Sequence, residues 1–245
     1  MIIKKIIKQK SGKYKIIFDD AMTLLTYDDV ILNHNLLFNK DISMDDYQQI
    51  ITDTNYYTLY NETIKYISKR LRSRLEIKKY LEKKTLDIHL IDDIIAKLEE
   101  KKYIDDYRFA QAFMNDNINF SHYGILKIKQ ELIQLGVSED IVEAIAKEER
   151  KSHSDDNKLN KIIAKKIKGN HKYSSSYLKQ KILNDLINIG YEREQITQIL
   201  DAYTLDDREI QKKEYQKIYN KLKSKYKDKE LEYQINLRMR VKGFK

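Results

Sequence analysis

Apolar residues four apart recur along most of the chain, and their clearest register runs through four stretches that each close on a turn signal. These are Ile77-x3-Leu81-x3-Thr85-Leu86, Ile128-x3-Leu132-x3-Gly136-Val137, Ile182-x3-Leu186-x3-Gly190-Tyr191 and Ile235-x3-Met239-x3-Gly243-Phe244, separated by steps of 51, 54 and 53 residues. Spacing by four places the apolar side chains on one helix face, and glycine just past the last turn supplies a left-handed stop. A further amphipathic helix is predicted upstream of each stretch, on Ile64-Ile67-Leu71, Phe109-Ala112-Phe113, Leu159-Ile162-Ile163-Ile167 and Ile210-Ile218-Leu222. Third helices follow in three of the four units, on Ile91-Ile94-Ile95-Leu98, Ile141-Val142-Ile145 and Ile196-Ile199-Leu200.

The N-terminal region reads differently. Short apolar runs at Ile2 to Ile7, Tyr14 to Phe18 and Thr23 to Thr26, separated by Ser11-Gly12 and Asp19-Asp20, are strand and turn signals. A short helix from Asp28 or Asp29 through His34 follows, and Ser43 with Asp46 three residues later marks the capped start of another. The expected fold is mainly α, with tandem three-helix repeats forming an elongated curved array and a small N-terminal antiparallel β element. The expected divisions are 1–56 for the β element with short helices, 57–104, 105–154 and 155–204 for three repeats, and 205–245 for a partial fourth.

Composition supports helix: proline is absent and there are only 6 glycines in 245 residues, so breakers are scarce. Cysteine is absent too, and no stretch has the shape of a signal peptide or approaches the length of a bilayer span, which points to the cytoplasm. The net charge of +9 is unevenly spread: about −1 over 1–56, +4 over 57–104, −3 over 105–154, +3 over 155–204 and +6 over 205–245. From Asn157 to Asn184 there are eight lysines and no Asp or Glu. Such a stripe attracts phosphate or an acidic protein face, and it is equally compatible with a solvated surface.

Two stretches narrow the family. Ile67-Ser68-Lys69-Arg70-Leu71-Arg72-Ser73-Arg74-Leu75-Glu76-Ile77-Lys78-Lys79-Tyr80-Leu81 resembles the first-repeat signature of the RecX family: an Arg-rich helix end, a Ser cap, an acidic residue three later, then apolar residues. Lys102-Tyr103-Ile104-Asp105-Asp106-Tyr107-Arg108-Phe109-Ala110 is similar to that family's junction between repeats one and two, with Lys102 where the family has glycine. Gly124-Ile125-Leu126-Lys127-Ile128-Lys129-Gln130-Glu131-Leu132 continues the match, and the fourth repeat resembles the longer forms of low-GC Gram-positive bacteria. The resemblance implies a regulator of recombination, repair and the SOS response that lies in the groove of the RecA filament, inhibits its ATPase and strand exchange, and contacts single-stranded and also double-stranded DNA. It implies a monomer with no enzymatic activity and no cofactor. A nucleic-acid-binding repeat protein that does not act on RecA, or a protein-only scaffold, stays open on the residues alone.

The binding candidates are Arg70, Arg72, Arg74, Lys78, Lys79, Lys127, Lys129, Lys165, Lys166, Lys168, Lys172, Lys179 and Lys181, with further phosphate contacts expected from the 212–229 run. The arginines stand out because a guanidinium grips phosphate or carboxylate with two parallel bonds; at alternate positions they converge only if the chain turns at Ser73. No catalytic or metal constellation is visible. The histidines at 34, 89, 122, 153 and 171 share no ligand spacing, there is no thiolate and no glycine-rich phosphate loop, and Ser121-His122 are adjacent and point apart. The pairs Asp105-Asp106, Asp155-Asp156 and Asp206-Asp207 sit at helix starts, where capping accounts for them better than a metal does. Of the 19 tyrosines, Tyr103, Tyr107, Tyr177 and Tyr191 fall at helix junctions, where packing is the commoner use than stacking on a base.

Overall fold

Ile3, Ile16 and Phe18 are buried on one side of a small sheet, while the positions alternating with them, Lys15 and Ile17, are only half-buried, the alternation of an antiparallel sheet with one face on the core. The strands are β1 (Ile3–Lys8), β2 (Tyr14–Phe18) and β3 (Thr23–Thr26), in the order β1-β2-β3, with a register irregularity between Ile3 and Lys5. Ile2, expected within the first strand, makes only an isolated bridge to Asp41. The structure, a computed structural model, describes residues 1–152 and 156–244. Among the described residues every other element is a helix, and none is long and apolar enough to cross a membrane.

The chain divides into two compact units, the first comprising Met1–Ala110 with Leu135–Val137 and the second Gln111–Gln134 with Ser138–Lys245. In the first, α1 (Asp28–Asn33) and α2 (Met44–Ile67) close over the sheet around Ile16, Phe18, Val30, Leu36 and Ile50. The buried hydroxyls of Thr26 and Thr54, 2.7 Å apart, tie β3 to α2. Ser43 and Asp46 form a reciprocal capping box at the start of α2. That helix then runs unbroken through residues 56 and 57, where a division was expected: its first half covers the sheet and its second half packs on α3 (Arg74–Glu82) and α4 (Ile88–Glu100). No breaker interrupts the stretch, so one helix serves two cores.

The second unit holds α6 (Ile125–Gln134) against α7 (Glu139–Ser152). It also holds α8 (Asp156–Lys168), α9 (Ser175–Asn188) and α10 (Arg193–Asp201) around a shared core of Leu159, Ile163, Ile182, Leu186, Ile196 and Leu200. A two-helix closing element, α11 (Arg208–Leu222) and α12 (Asp228–Val241), buries Ile218, Leu222, Ile235, Met239 and Phe244. Between α4 and α6 lies α5 (Asp106–Phe120).

One junction recurs, and it explains the periodic glycines. In the second unit the start of α6 meets the end of α9: Gly124 N–H donates to Ile189 O at 2.7 Å and Leu126 N–H to Gly190 O at 3.1 Å. The free N–H groups of one helix start thus satisfy the free carbonyls of another helix end, positive dipole end to negative. Gly190 has φ +91, and a Cβ there would lie 2.3 Å from the backbone nitrogen of Lys127. The same contact joins the start of α9 to Lys242 and Gly243, with Ser174 N–H donating to Lys242 O at 3.0 Å. In the first unit, Ser73 Oγ donates to Leu135 O at 2.6 Å while Leu75 packs under Gly136.

Candidate functional site

The arginine cluster is placed by the turn between α2 and α3. Ser73 caps α3 in a box with Glu76; Arg70 and Arg72 meet on Glu76, whereas Arg74 turns to Glu99. All three are engaged by carboxylates of the same unit. Arg70 Nη2 lies 2.5 Å from Glu76 Oε1, and Arg74 Nε donates to Glu99 at 2.8 Å. Arg72 is the most enclosed, its side chain 10% exposed: its guanidinium stacks 3.5 Å from the centroid of Tyr66, Nε donates to Tyr66 O, and Nη1 is 3.6 Å from Glu76. Tyr66 in turn stacks on Tyr80 at 4.1 Å, and the Lys84 ammonium lies 5.7 Å from the Tyr80 ring centroid. These rings are engaged with one another and with their own cations, so this column is a structural brace.

The paired aspartates divide their labour. Asp105 caps α5 by accepting from Arg108 N–H, whereas Asp106 accepts from Arg74 N–H, the first residue of α3, at 2.7 Å. Burial pushes the Asp106 carboxyl up from its ordinary value, with the Arg74 N–H pulling the other way. Asp206 holds Arg208, which keeps its carboxyl down at about 2, while Asp207 accepts from Ser175 N–H at the start of α9. Each second aspartate therefore caps a helix far from it in sequence. Asp155 lies outside the described residues, as does His153.

Of the lysines, Lys129 pairs with Glu143 and Lys166 with Asp185 at 2.8 Å. Lys78, Lys127 and Lys179 are half-buried, and Lys79, Lys165, Lys168, Lys172 and Lys181 are exposed. Lys166, Lys172 and Lys181 come together with Asn170, His171 and Tyr173 around a cleft of about 400 Å³ between the end of α8 and α9. Lys172, its ammonium 5.1 Å from the Tyr173 ring centroid, also lines a second cleft of about 390 Å³ with Lys217, Lys221, Arg238, Lys242 and Glu214. Glu214 is buried and consumed by Lys242, which leaves Lys172, Lys217, Lys221 and Arg238 without a carboxylate among the described residues. Charges of one sign with no internal partner, set around a concave surface, concentrate polyanions. Sequence reading singled out Lys172 and the 212–229 run and missed Arg238 and Lys242; two arginines in the last turn of a lysine-rich segment are the signal that was there to use. Tyr191 is buried, whereas Tyr103, Tyr107 and Tyr177 are two-fifths or more exposed, Tyr177 while its Cβ packs on Gly243.

The chain is similar to known proteins along nearly its whole length. A family model described as the second three-helix domain of RecX matches residues 105–144. The regulatory protein RecX of Listeria monocytogenes is 29% identical over 249 residues, covering 97% of this chain and 90% of the relative. That of Staphylococcus aureus is 27% identical over 252 residues, covering 99% and 91%. Among solved structures, a crystal structure of regulatory protein RecX superposes with a TM-score of 0.72 at 22% identity, over 82% of this chain and 98% of the other. RecX from Lactobacillus salivarius superposes at 0.55, with 24% identity over 60% and 95%. These two carry the fold, and the near full-length matches make the chain similar throughout to regulatory proteins of the RecX family.

Proposed function

We propose that this protein regulates homologous recombination and DNA repair by binding the RecA–single-stranded DNA filament and inhibiting its ATPase and strand exchange. The observation that supports the reading best is the pair of basic clefts joined at Lys172, in a chain similar over nearly its whole length to regulatory proteins. A strand inside a filament presents phosphates at regular spacing, and cations held open on rigid helices meet them without first breaking internal ion pairs. Lys165, Lys168, Lys172 and Lys181 on α8, α9 and their connection, with Lys217, Lys221 and Arg238 on α11 and α12, are the phosphate contacts in this reading. Lys78, Lys79, Lys127 and Lys179 are secondary ones, and Arg70, Arg72 and Arg74 act by holding α2, α3 and α4 together. The protein works as a cytoplasmic monomer by binding, with no chemistry of its own.

The test is ATP hydrolysis by RecA on single-stranded DNA, with this protein added below stoichiometry. Turnover should fall as the protein is titrated in. Strand binding without any effect on turnover would instead indicate a nucleic-acid-binding protein that does not act on RecA.

A further inference from the structure

The four middle helices provide an internal comparison, because aligning Ile77, Ile128, Ile182 and Ile235 aligns every other position along them. At the two outward positions occupied by Leu237 and Val241 in α12, the other helices carry Lys79 and Lys83, Gln130 and Gln134, and Asn184 and Asn188. Polar side chains are what a solvated helix face calls for. In α12 alone the face is apolar, and with Tyr233 it forms a stripe at i, i+4 and i+8 that lies 61%, 48% and 68% exposed at Tyr233, Leu237 and Val241. The stripe does not belong to the core of the closing element, which uses Ile235, Met239 and Phe244 on the opposite side.

Its margins are basic. Arg240 stands one turn from Leu237, Arg238 one turn from Val241 and Lys229 one turn from Tyr233, and none of the three pairs with a carboxylate among the described residues. The one acid on this face, Glu230, takes its hydrogen bond from Gln234. Aliphatic Leu237 and Val241 gain nothing from a phosphodiester backbone, but they gain from burial against other apolar side chains.

We propose that the Tyr233–Leu237–Val241 stripe of α12 is a protein-docking face that takes an amphipathic, acid-flanked segment, and that it borders the second cleft, which Val241 and Arg238 also line. This rests on the reading of the chain as a filament regulator, in which the occupant is a segment of the protein that coats the strand. The arrangement is that of a helix face with spaced apolar anchors and a charged rim, where the anchors supply affinity and the rim supplies orientation.

The test compares three full-length proteins: wild type, a Leu237→Lys/Val241→Lys double variant, and a Gln130→Lys/Gln134→Lys double variant that places the same charges at the matching positions of α6. All four positions are exposed, so circular dichroism and melting should be unchanged. Each protein is measured for inhibition of RecA ATPase on single-stranded DNA and, separately, for binding to a bare oligonucleotide by fluorescence anisotropy. The α12 variant should need about tenfold more protein or beyond for half-maximal inhibition, with oligonucleotide binding equal to wild type or tighter, and the α6 variant should match wild type in inhibition. Added lysines favour strand binding, so a selective loss of inhibition cannot be a loss of strand affinity.

Equal inhibition by wild type and the α12 variant overturns the docking face while leaving the regulatory reading in place. So does a parallel loss in the α6 variant, which would make the effect one of charge alone. A wild-type protein without effect on RecA brings down both readings. Self-association of the wild type in sedimentation velocity, abolished by Leu237→Lys/Val241→Lys, would assign the stripe to a second copy and overturn this occupant.

Discussion

Lys102 is a residue at which local chemistry and local backbone disagree. It follows the last turn of α4 with φ +58, and the Tyr103 N–H to Leu98 O and Lys102 N–H to Glu99 O bonds close a helix-ending loop around it. That is the conformation glycine adopts without a Cβ penalty, and it is glycine that the related junction carries at this position. Lys102→Gly should therefore stabilise the protein by about 1 kcal/mol, read as a rise in urea midpoint. Arg72 gives the opposite case. Removing its guanidinium in Arg72→Ala takes away the contact with the Tyr66 ring and leaves Glu76 with one cation fewer, so stability should fall by about 2 kcal/mol. Asp106 carries a pH signature: because burial raises its pKa, the native state holds a proton that the unfolded chain has already lost just above the ordinary aspartate value. Its contribution to stability therefore declines as pH rises through that window. Comparing wild type with Asp106→Asn by urea unfolding, the difference should move in favour of wild type as pH falls from about 7 to about 4.

Among elements, the recurrent meeting of a helix start with a helix end decides how tightly the second unit holds. Gly190 is the sharpest point of that contact, with a left-handed backbone and a neighbouring backbone nitrogen where a methyl would have to sit. Gly12 has a similar φ of +84 in the β1–β2 turn and nothing within 4 Å of the place a Cβ would occupy. Alanine at Gly12 should cost about 1 kcal/mol, the backbone penalty alone, whereas alanine at Gly190 should cost about 3 kcal/mol or more because the junction must also open. Thermal melting of the two variants separates these terms; equal losses would mean the junction is looser than its hydrogen bonds indicate. Thr85, where the first repeat departs from the glycine rule, fits the same account: among the described residues no N–H from another helix start reaches the end of α3, so nothing there demands the missing side chain.

At the scale of the molecule, charge divides into cations that hold the fold and cations that are free. Replacing Lys172, Lys217, Lys221 and Arg238 together by alanine should flatten the salt dependence of oligonucleotide binding by about 3 in the slope of log affinity against log salt, at about 0.7 per phosphate contact. Replacing Arg70, Arg72 and Arg74 should lower the melting temperature and change that slope far less, since all three are already engaged by Glu76 and Glu99.

Much of this was legible in the linear chain because it rests on local rules. Residues four apart share a helix face, Ser43 with Asp46 and Ser73 with Glu76 are capping boxes complete within four residues, and the alternation in Tyr14–Phe18 needs only a pleated strand. The helical character and the N-terminal sheet follow from such patterns. What they cannot supply is which distant groups meet. The arginine triad and the lysines of α8 looked alike as charge, yet one set is closed onto Glu76 and Glu99 and most of the other is open to solvent. Asp106 and Asp207 looked like caps of their own helices and proved to cap others 32 residues away. The second cleft unites Lys172 with residues of α11 and α12 that no periodicity connects to it. An ion pair or a cleft depends on where the chain returns in space, and that is set by packing of whole helices, so only the tertiary structure could decide it.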